Sequence, residues 1–222
     1  MREIVDGVWE VGIGFVHAHL IAAGGGLVML DTGLPRRADR LADAVRATGH
    51  QLTDVHTILM SHRHPDHTGS LAELRRRTGA RVVAHAADAP VITGACPLPL
   101  HSLVMRLTAP LMRTEPAPVD EVLDGDGPTG VPGITAYHTP GHTEGHLSFL
   151  LDRSGGVLFA GDAAGVLFGR LRMPPKATTA NAAAARASIA RLAELKFRTA
   201  AFGHGAALSP DAAARFRDFA AR

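Results

Sequence analysis

The chain has 222 residues, a formal net charge of +2, 46% hydrophobic and 20% charged residues, and a single cysteine. That length suits one domain with a well-buried core over 1–222, and the composition excludes a disordered or fibrous chain. No apolar run reaches the ~20 residues of a bilayer span. The basic residues are scattered and form no stripe for a nucleic acid.

The expected partner is therefore a small-molecule substrate, with neither nucleic acid nor membrane, and a homodimer is an open option. Cys96 has no second cysteine to pair with, and "MREIVDGVWE" carries no apolar leader, so a cytoplasmic location is expected.

In chain order, "REIV", "GVWEVG", "VHAHLIAA" and "GLVMLDTG" are short aliphatic runs broken by glycines, as strands with tight turns are. "PRRADRLADAVRATG", from Pro35 to Gly49, places Ala38, Leu41 and Val45 at helical spacing. "DVHTILMS" predicts a strand, "SLAELRRRTG" a short helix and "ARVVAH" another strand. Residues 88–120 break this rhythm: six prolines punctuate an apolar stretch carrying Met105 and Met112, which predicts an inserted, partly helical flap. Strands resume at "GITAYH", "HLSFLLD" and "GVLFAGD". A long helix is expected from about Thr179 to Lys196, then a strand "TAAFGH". A last helix is expected from Ser209-Pro210, where serine can cap and proline can take the first turn. "GLVMLDTG" and "GVLFAGDA" share a glycine, an aliphatic run and an aspartate, a faint echo between two halves.

The chemistry lies in "SHRHPDHTGS", Ser61 to Ser70. His62 and His64 are two apart, so on an extended segment they point the same way; Asp66 and His67 follow the turn at Pro65. Further on, His142, Asp162 and His204 each sit in a glycine-rich turn at a strand end. These five imidazoles and two carboxylates exceed the four ligands of a tetrahedral zinc, so two metals are the economical reading. The absence of thiolates suits zinc, manganese or iron. Two ions ~3.5–4 Å apart lower the pKa of water to ~7 and hold both the nucleophile and the oxygen that gains charge, which points to metal-assisted hydrolysis.

His-x-His-x-Asp-His followed by separate His, Asp and His in glycine turns resembles the metallo-β-lactamase-fold hydrolases, over nearly the whole chain. The resemblance implies an α/β fold, a four-layer αββα sandwich with the metals at one sheet edge. It implies that His62, His64 and His142 bind one metal, that Asp66, His67 and His204 bind the other, and that Asp162 bridges them. Asp66 also carries the catalytic assignment. Asp31, in "LDTG", matches a buried family aspartate that braces the metal loop.

The bridging aspartate aligns the chain with glyoxalase II-like thioesterases, lactonases and phosphodiesterases rather than with antibiotic-degrading zinc lactamases. The chain departs from the lactonases, which carry a tyrosine where Gly165 stands here; its only tyrosine is Tyr137. The expected function is thus a hydrolase with two Zn2+ per chain (Fe or Mn as other candidates), cleaving a small ester, thioester or lactone with a metal-bridging hydroxide. The alternatives are a mononuclear iron persulfide dioxygenase, β-lactam hydrolysis as main or side activity, and a metal-stabilised scaffold that binds a partner through the flap.

The remaining candidates read as structural. His146 opens a strand and is expected to bond locally rather than to serve as an eighth ligand. His17 and His19 alternate on an early strand, and His50, His56, His85, His101 and His138 carry no motif. Cys96 has no dyad around it. Arg170, Arg172 and Lys176 follow the bridging aspartate on an expected solvated loop, and no substrate-binding residue is assigned.

Overall fold

The computed structural model describes residues 1–222. Seven strands form the first sheet: β1 (Arg2–Val5), β2 (Val8–Ile13), β3 (Val16–Ala23), β4 (Gly26–Leu30), β5 (Val55–Leu59), β6 (Arg81–His85) and β7 (Glu121–Leu123). They lie in sequence order, antiparallel up to β4 and parallel beyond it. Helices α1 (Ala38–Ala47), α2 (Pro65–Thr68) and α3 (Leu71–Thr78) make the parallel crossovers, and the β6–β7 crossover carries α4 (Ala89–Ile92) and α5 (Leu103–Thr108). The predicted flap is therefore this last crossover, enlarged.

The second sheet has five strands, in the order β14-β11-β10-β9-β8. They are β8 (Gly127–Pro128), β9 (Ile134–His138), β10 (Leu147–Leu151), β11 (Val157–Phe159) and β14 (Thr199–Ala201). Between β11 and β14 come a hairpin of β12 (Gly165–Leu167) and β13 (Arg170–Arg172), then α6 (Ala182–Ala193); α7 (Ala212–Ala220) closes the chain.

Side-chain alternation along the strands separates the layers. On β4, Leu27 and Met29 pack with Leu41 and Val45 of α1 and Leu71 and Leu74 of α3, whereas Val28 and Leu30 face Phe149 and Phe159 of the second sheet. On β11, Val157 and Phe159 point inward while Leu158 meets Ile189 and Leu192 of α6 and Phe216 of α7. Three apolar cores thus separate four layers, helices–sheet–sheet–helices, as the αββα expectation requires. No helix is long and apolar enough to cross a membrane.

Several element ends differ from the sequence expectation. Helix α1 starts at Ala38 rather than Pro35, because Arg36 takes a left-handed φ of 60°. Helix α6 starts at Ala182, not Thr179: Asn181 Oδ1 accepts from the Ala183 and Ala184 N–H groups at 3.0 Å and caps the helix. It ends at Ala193 rather than Lys196. The last helix starts at Ala212, since Ser209 Oγ pairs with Thr199 Oγ1 at 3.0 Å instead of capping. The β12–β13 hairpin stands where the sequence predicts a loop.

Strands β4 and β5 run parallel, as do β11 and β14, so the chain leaves their C-terminal ends at one edge of the sandwich. The turns after these four strands carry Asp31, His62, Asp162 and His204.

Candidate metal centre

Asp31 follows β4 with a left-handed φ of 59°, which aspartate tolerates, and it is fully buried. Its Oδ1 accepts from Ser61 N at 2.8 Å; its Oδ2 accepts from Ser61 Oγ at 2.6 Å and from His67 Nδ1 at 2.8 Å. These bonds orient two imidazoles. Because the Ser61 hydroxyl donates to Asp31, its oxygen accepts from His62 Nδ1 at 2.9 Å, leaving the His62 Nε2 lone pair free. His67 is held the same way, with Nε2 turned to the cluster.

The other donors are fixed with similar economy. Thr179 Oγ1 donates to Pro175 O at 2.9 Å and accepts from His142 Nδ1 at 3.5 Å, so His142 Nε2 faces inward. His204 Nδ1 donates to Phe15 O at 3.1 Å, and the Phe15 ring stacks on His204 with centroids 5.8 Å apart. Gly203 is required here: a Cβ would lie 2.2 Å from Asp162 Oδ1 and 2.6 Å from His67 Cε1. His146 is not an eighth ligand. Its Nδ1 donates to Thr139 Oγ1 at 2.8 Å and its Nε2 accepts from Asp162 N at 2.9 Å, which positions the Asp162 turn.

All seven sequence-predicted donors come together. Three trios each have ligand atoms within 4.8 Å of one another: His62, His64 and His142; His62, His67 and Asp162; and Asp66, His67 and His204. Asp162 lies between them, with Oδ1 3.5 Å from His67 Nε2 and Oδ2 3.4 Å from His142 Nε2 and 3.2 Å from His204 Nε2.

Electrostatics say what such a cluster holds. Burial pushes His62 and His142 well below the usual histidine range, and His64 down to about 4, so all three are neutral lone-pair donors. Burial would also lower His67 and His204, but Asp162, with Asp31 and Asp66, outweighs it; His67 stands well above the usual value and His204 at about 10. Positive charge is therefore stabilised beside Asp162, and a metal taking those Nε2 atoms displaces their protons.

The fit to divalent metal rests on unpartnered atoms. His62 Nε2, His67 Nε2 and Asp162 Oδ1 are buried without any hydrogen-bond partner, and they form one of the trios. His64 Nδ1 and His142 Nε2 approach to 2.8 Å, a repulsive contact of two lone pairs unless a cation or proton lies between them. The donor set, all imidazole and carboxylate, suits zinc, manganese or iron.

Residues that the sequence left unassigned complete the site. Asp88, 1% exposed, accepts from Arg63 N at 3.0 Å, Arg63 Nη1 at 2.6 Å, Thr143 Oγ1 at 2.7 Å and Gly145 N at 3.1 Å, and so ties the His62–His67 loop to the His142 turn. Arg63 also pairs with Glu144. Above the donors opens a cavity of about 680 Å³, walled by the flap on one side and the β12–β13 hairpin on the other. His64, Asp66, His142, Asp162 and His204 line its floor. Of the three basic residues after Asp162, only Arg172 reaches it, and neither Tyr137 nor Cys96 does.

Among the histidines read as structural, His146 alone bonds to a donor residue, through the Asp162 backbone N–H. His19 packs edge-on against Phe159, His50 and His56 bond to nearby backbone, and His85 stacks on His138 at 4.1 Å.

The family model described as the Metallo-beta-lactamase superfamily matches residues 11–204. A probable metallo-hydrolase, YflN of Bacillus subtilis (strain 168), is 30% identical over 80% of this chain and 75% of its own length. A hydroxyacylglutathione hydrolase of Acidiphilium cryptum is 32% identical over 60% of this chain, which spans only 44% of that relative. The crystal structure of a metallo-beta-lactamase family protein from Thermus thermophilus superposes with a TM-score of 0.77 at 27% identity, covering 99% of this chain and 80% of the other.

Proposed function

This chain belongs to the metallo-beta-lactamase superfamily of metal-dependent hydrolases, and from that premise we propose that it cleaves a small ester, thioester or lactone at a centre of two zinc ions. The observation that carries the reading is the position of Asp162. Its carboxylate reaches His142 of one donor trio and His67 and His204 of another, where a bridging ligand belongs. The hydroxyacylglutathione hydrolase relatives support thioester cleavage as part of the range.

Metal ions held by these residues supply Lewis acidity toward a carbonyl oxygen and lower the pKa of water to ~7. The protein's part is orientation. His62, His64 and His142 are locked as neutral donors, and Asp31 sets the direction of His67 through its Nδ1. Asp66 and His204 line the cavity floor 3.5 Å apart, so the Asp66 carboxylate is the group placed to hold the proton of an attacking water.

Metal analysis of purified protein, with a substrate panel of thioesters, lactones, phosphodiesters and β-lactams, tests the proposal. Two equivalents of zinc and turnover of a carboxylic ester, thioester or lactone are expected. One iron per chain with oxygen uptake on a persulfide would overturn it, as would turnover confined to β-lactams or phosphodiesters.

A further inference from the structure

The cavity over the donors falls within the ~300–1,000 Å³ of ordinary ligand sites. Its character is one-sided. Met105, Leu111 and Met112 come from the flap, and Phe15, Val166 and Leu167 face them from the β2–β3 turn and the β12–β13 hairpin. Several of these side chains stand in solvent: Leu111 is 75% exposed, Phe15 62% and Leu167 53%. Apolar surface concentrated around the mouth of a site, rather than scattered, marks a place where something apolar is covered. The methionines add walls that adapt to a flexible ligand.

Charge excludes the alternative. Away from the floor, Arg172 is the one ionic side chain in the lining. A peptide-conjugated thioester such as a glutathione conjugate carries two carboxylates and an ammonium, and these walls offer almost nothing to pair with them.

We propose that the cavity receives an uncharged, apolar acyl chain of medium length, so that the substrate is a medium-chain acyl ester or thioester. This rests on the hydrolase reading above. In the reaction, the oxygen of water bonds to the acyl carbon, the C–O or C–S bond breaks, the departing alkoxide or thiolate takes one of the water's protons, and the other passes to solvent. The chain then leaves as a carboxylate.

The test is a series of acyl esters of one neutral thiol, from acetyl to dodecanoyl, with zinc-loaded enzyme. Each methylene that enters the cavity is expected to raise kcat/KM by ~2–4-fold, up to a plateau set by cavity length. Leu111→Ser and Leu167→Ser, both at exposed positions, are expected to lower the decanoyl-to-acetyl ratio by about 3–10-fold each. Calorimetry with the product carboxylates gives an arm independent of turnover, in which decanoate binds at least ~10²-fold tighter than acetate.

A flat chain-length profile, or a preference for lactoylglutathione over decanoyl thioester, overturns the acyl-chain assignment and leaves the hydrolase reading intact. No turnover at any length, with decanoate still bound tightly, overturns the hydrolase reading and leaves the cavity assignment standing. Equal binding of decanoate and acetate overturns the assignment outright.

Discussion

The floor and the walls of the cavity are built on opposite principles. On the floor the groups that brace the donors are densely hydrogen-bonded, while the donor atoms facing inward are left free: Asp31 alone accepts three hydrogen bonds and Asp88 four. In residues 102–112 of the flap, Leu103, Leu107 and Leu111 stand 71%, 69% and 75% exposed, and the side-chain hydrogen bonds are the Ser102 cap on Met105 N and the Thr108 bonds to its own helix. The first arrangement fixes directions to within a fraction of an ångström, as metal ligation requires. The second supplies area without direction, which suits a chain of methylenes. On the proposed reading, chemistry and selectivity thus fall to separate parts of the fold, separable by mutation.

Substitutions can break that division. Asp162→Ala removes the carboxylate shared by the donor trios, and kcat/KM is expected to fall by more than ~10³-fold, equivalent to several kcal/mol of lost charge stabilisation. Metal analysis of the same variant should show a reduced zinc content, while its affinity for decanoate changes little if floor and walls are independent.

Asp88→Ala probes the seam between the regions, since Asp88 stands at the start of the flap but its carboxylate bonds to floor loops. Arg63 is left with a buried charge held by Glu144 alone, and a loss of ~3–5 kcal/mol in urea unfolding is expected. Unchanged stability would mean that the two loops are held by other contacts. Asp31→Asn keeps the shape but exchanges a charged acceptor for a neutral one at His67 Nδ1. A drop of ~10–100-fold in zinc affinity, read by competition with a chromogenic chelator, is the expected result.

The contrast also explains what can be read from the sequence. The seven donors are legible because few side chains can bind a hard cation, because four crowd into "SHRHPDHTGS", and because the other three sit where a strand meets a glycine turn, as in "FAGDA" and "AFGHGA". Layering is legible too, since Leu27 to Leu30 alternate between two cores with the period of a strand. Asp88 is not, because its partners lie 25 to 57 residues away and a carboxylate before a proline helix start looks like an ordinary cap. Phe15 escapes notice for a similar reason. Its contribution is a backbone carbonyl and a ring face offered to a residue 189 positions away. The β12–β13 hairpin has strands of three residues, too short for any periodicity to declare itself. Hydrogen-bonding partners set by topology, and walls recognised only by their shared apolar character, leave little local trace.

The smallest effect concerns His19, which sits behind the floor against Phe159 and has neither ring nitrogen bonded. Burial, together with the neighbouring His17 and His67, depresses its pKa to about 3, against ~6.5 in an unfolded chain. The fold therefore holds the ring neutral while the unfolded chain takes up a proton first. The stability this represents is fully present above pH ~6.5 and is lost as pH falls toward 3, the loss amounting to ~2 kcal/mol at pH 5. His19→Leu removes that titration along with two buried unpartnered nitrogens, so at pH 8 the variant should be at least as stable as the parent. Any metal held by the donors is released as pH falls in both proteins, and comparing the two at each pH cancels that contribution. Urea unfolding at pH 8 and pH 5 is then expected to show the variant losing ~2 kcal/mol less than the parent. Equal losses would place the acid sensitivity in the donor cluster alone and would leave His19 a neutral filler of the inter-sheet core.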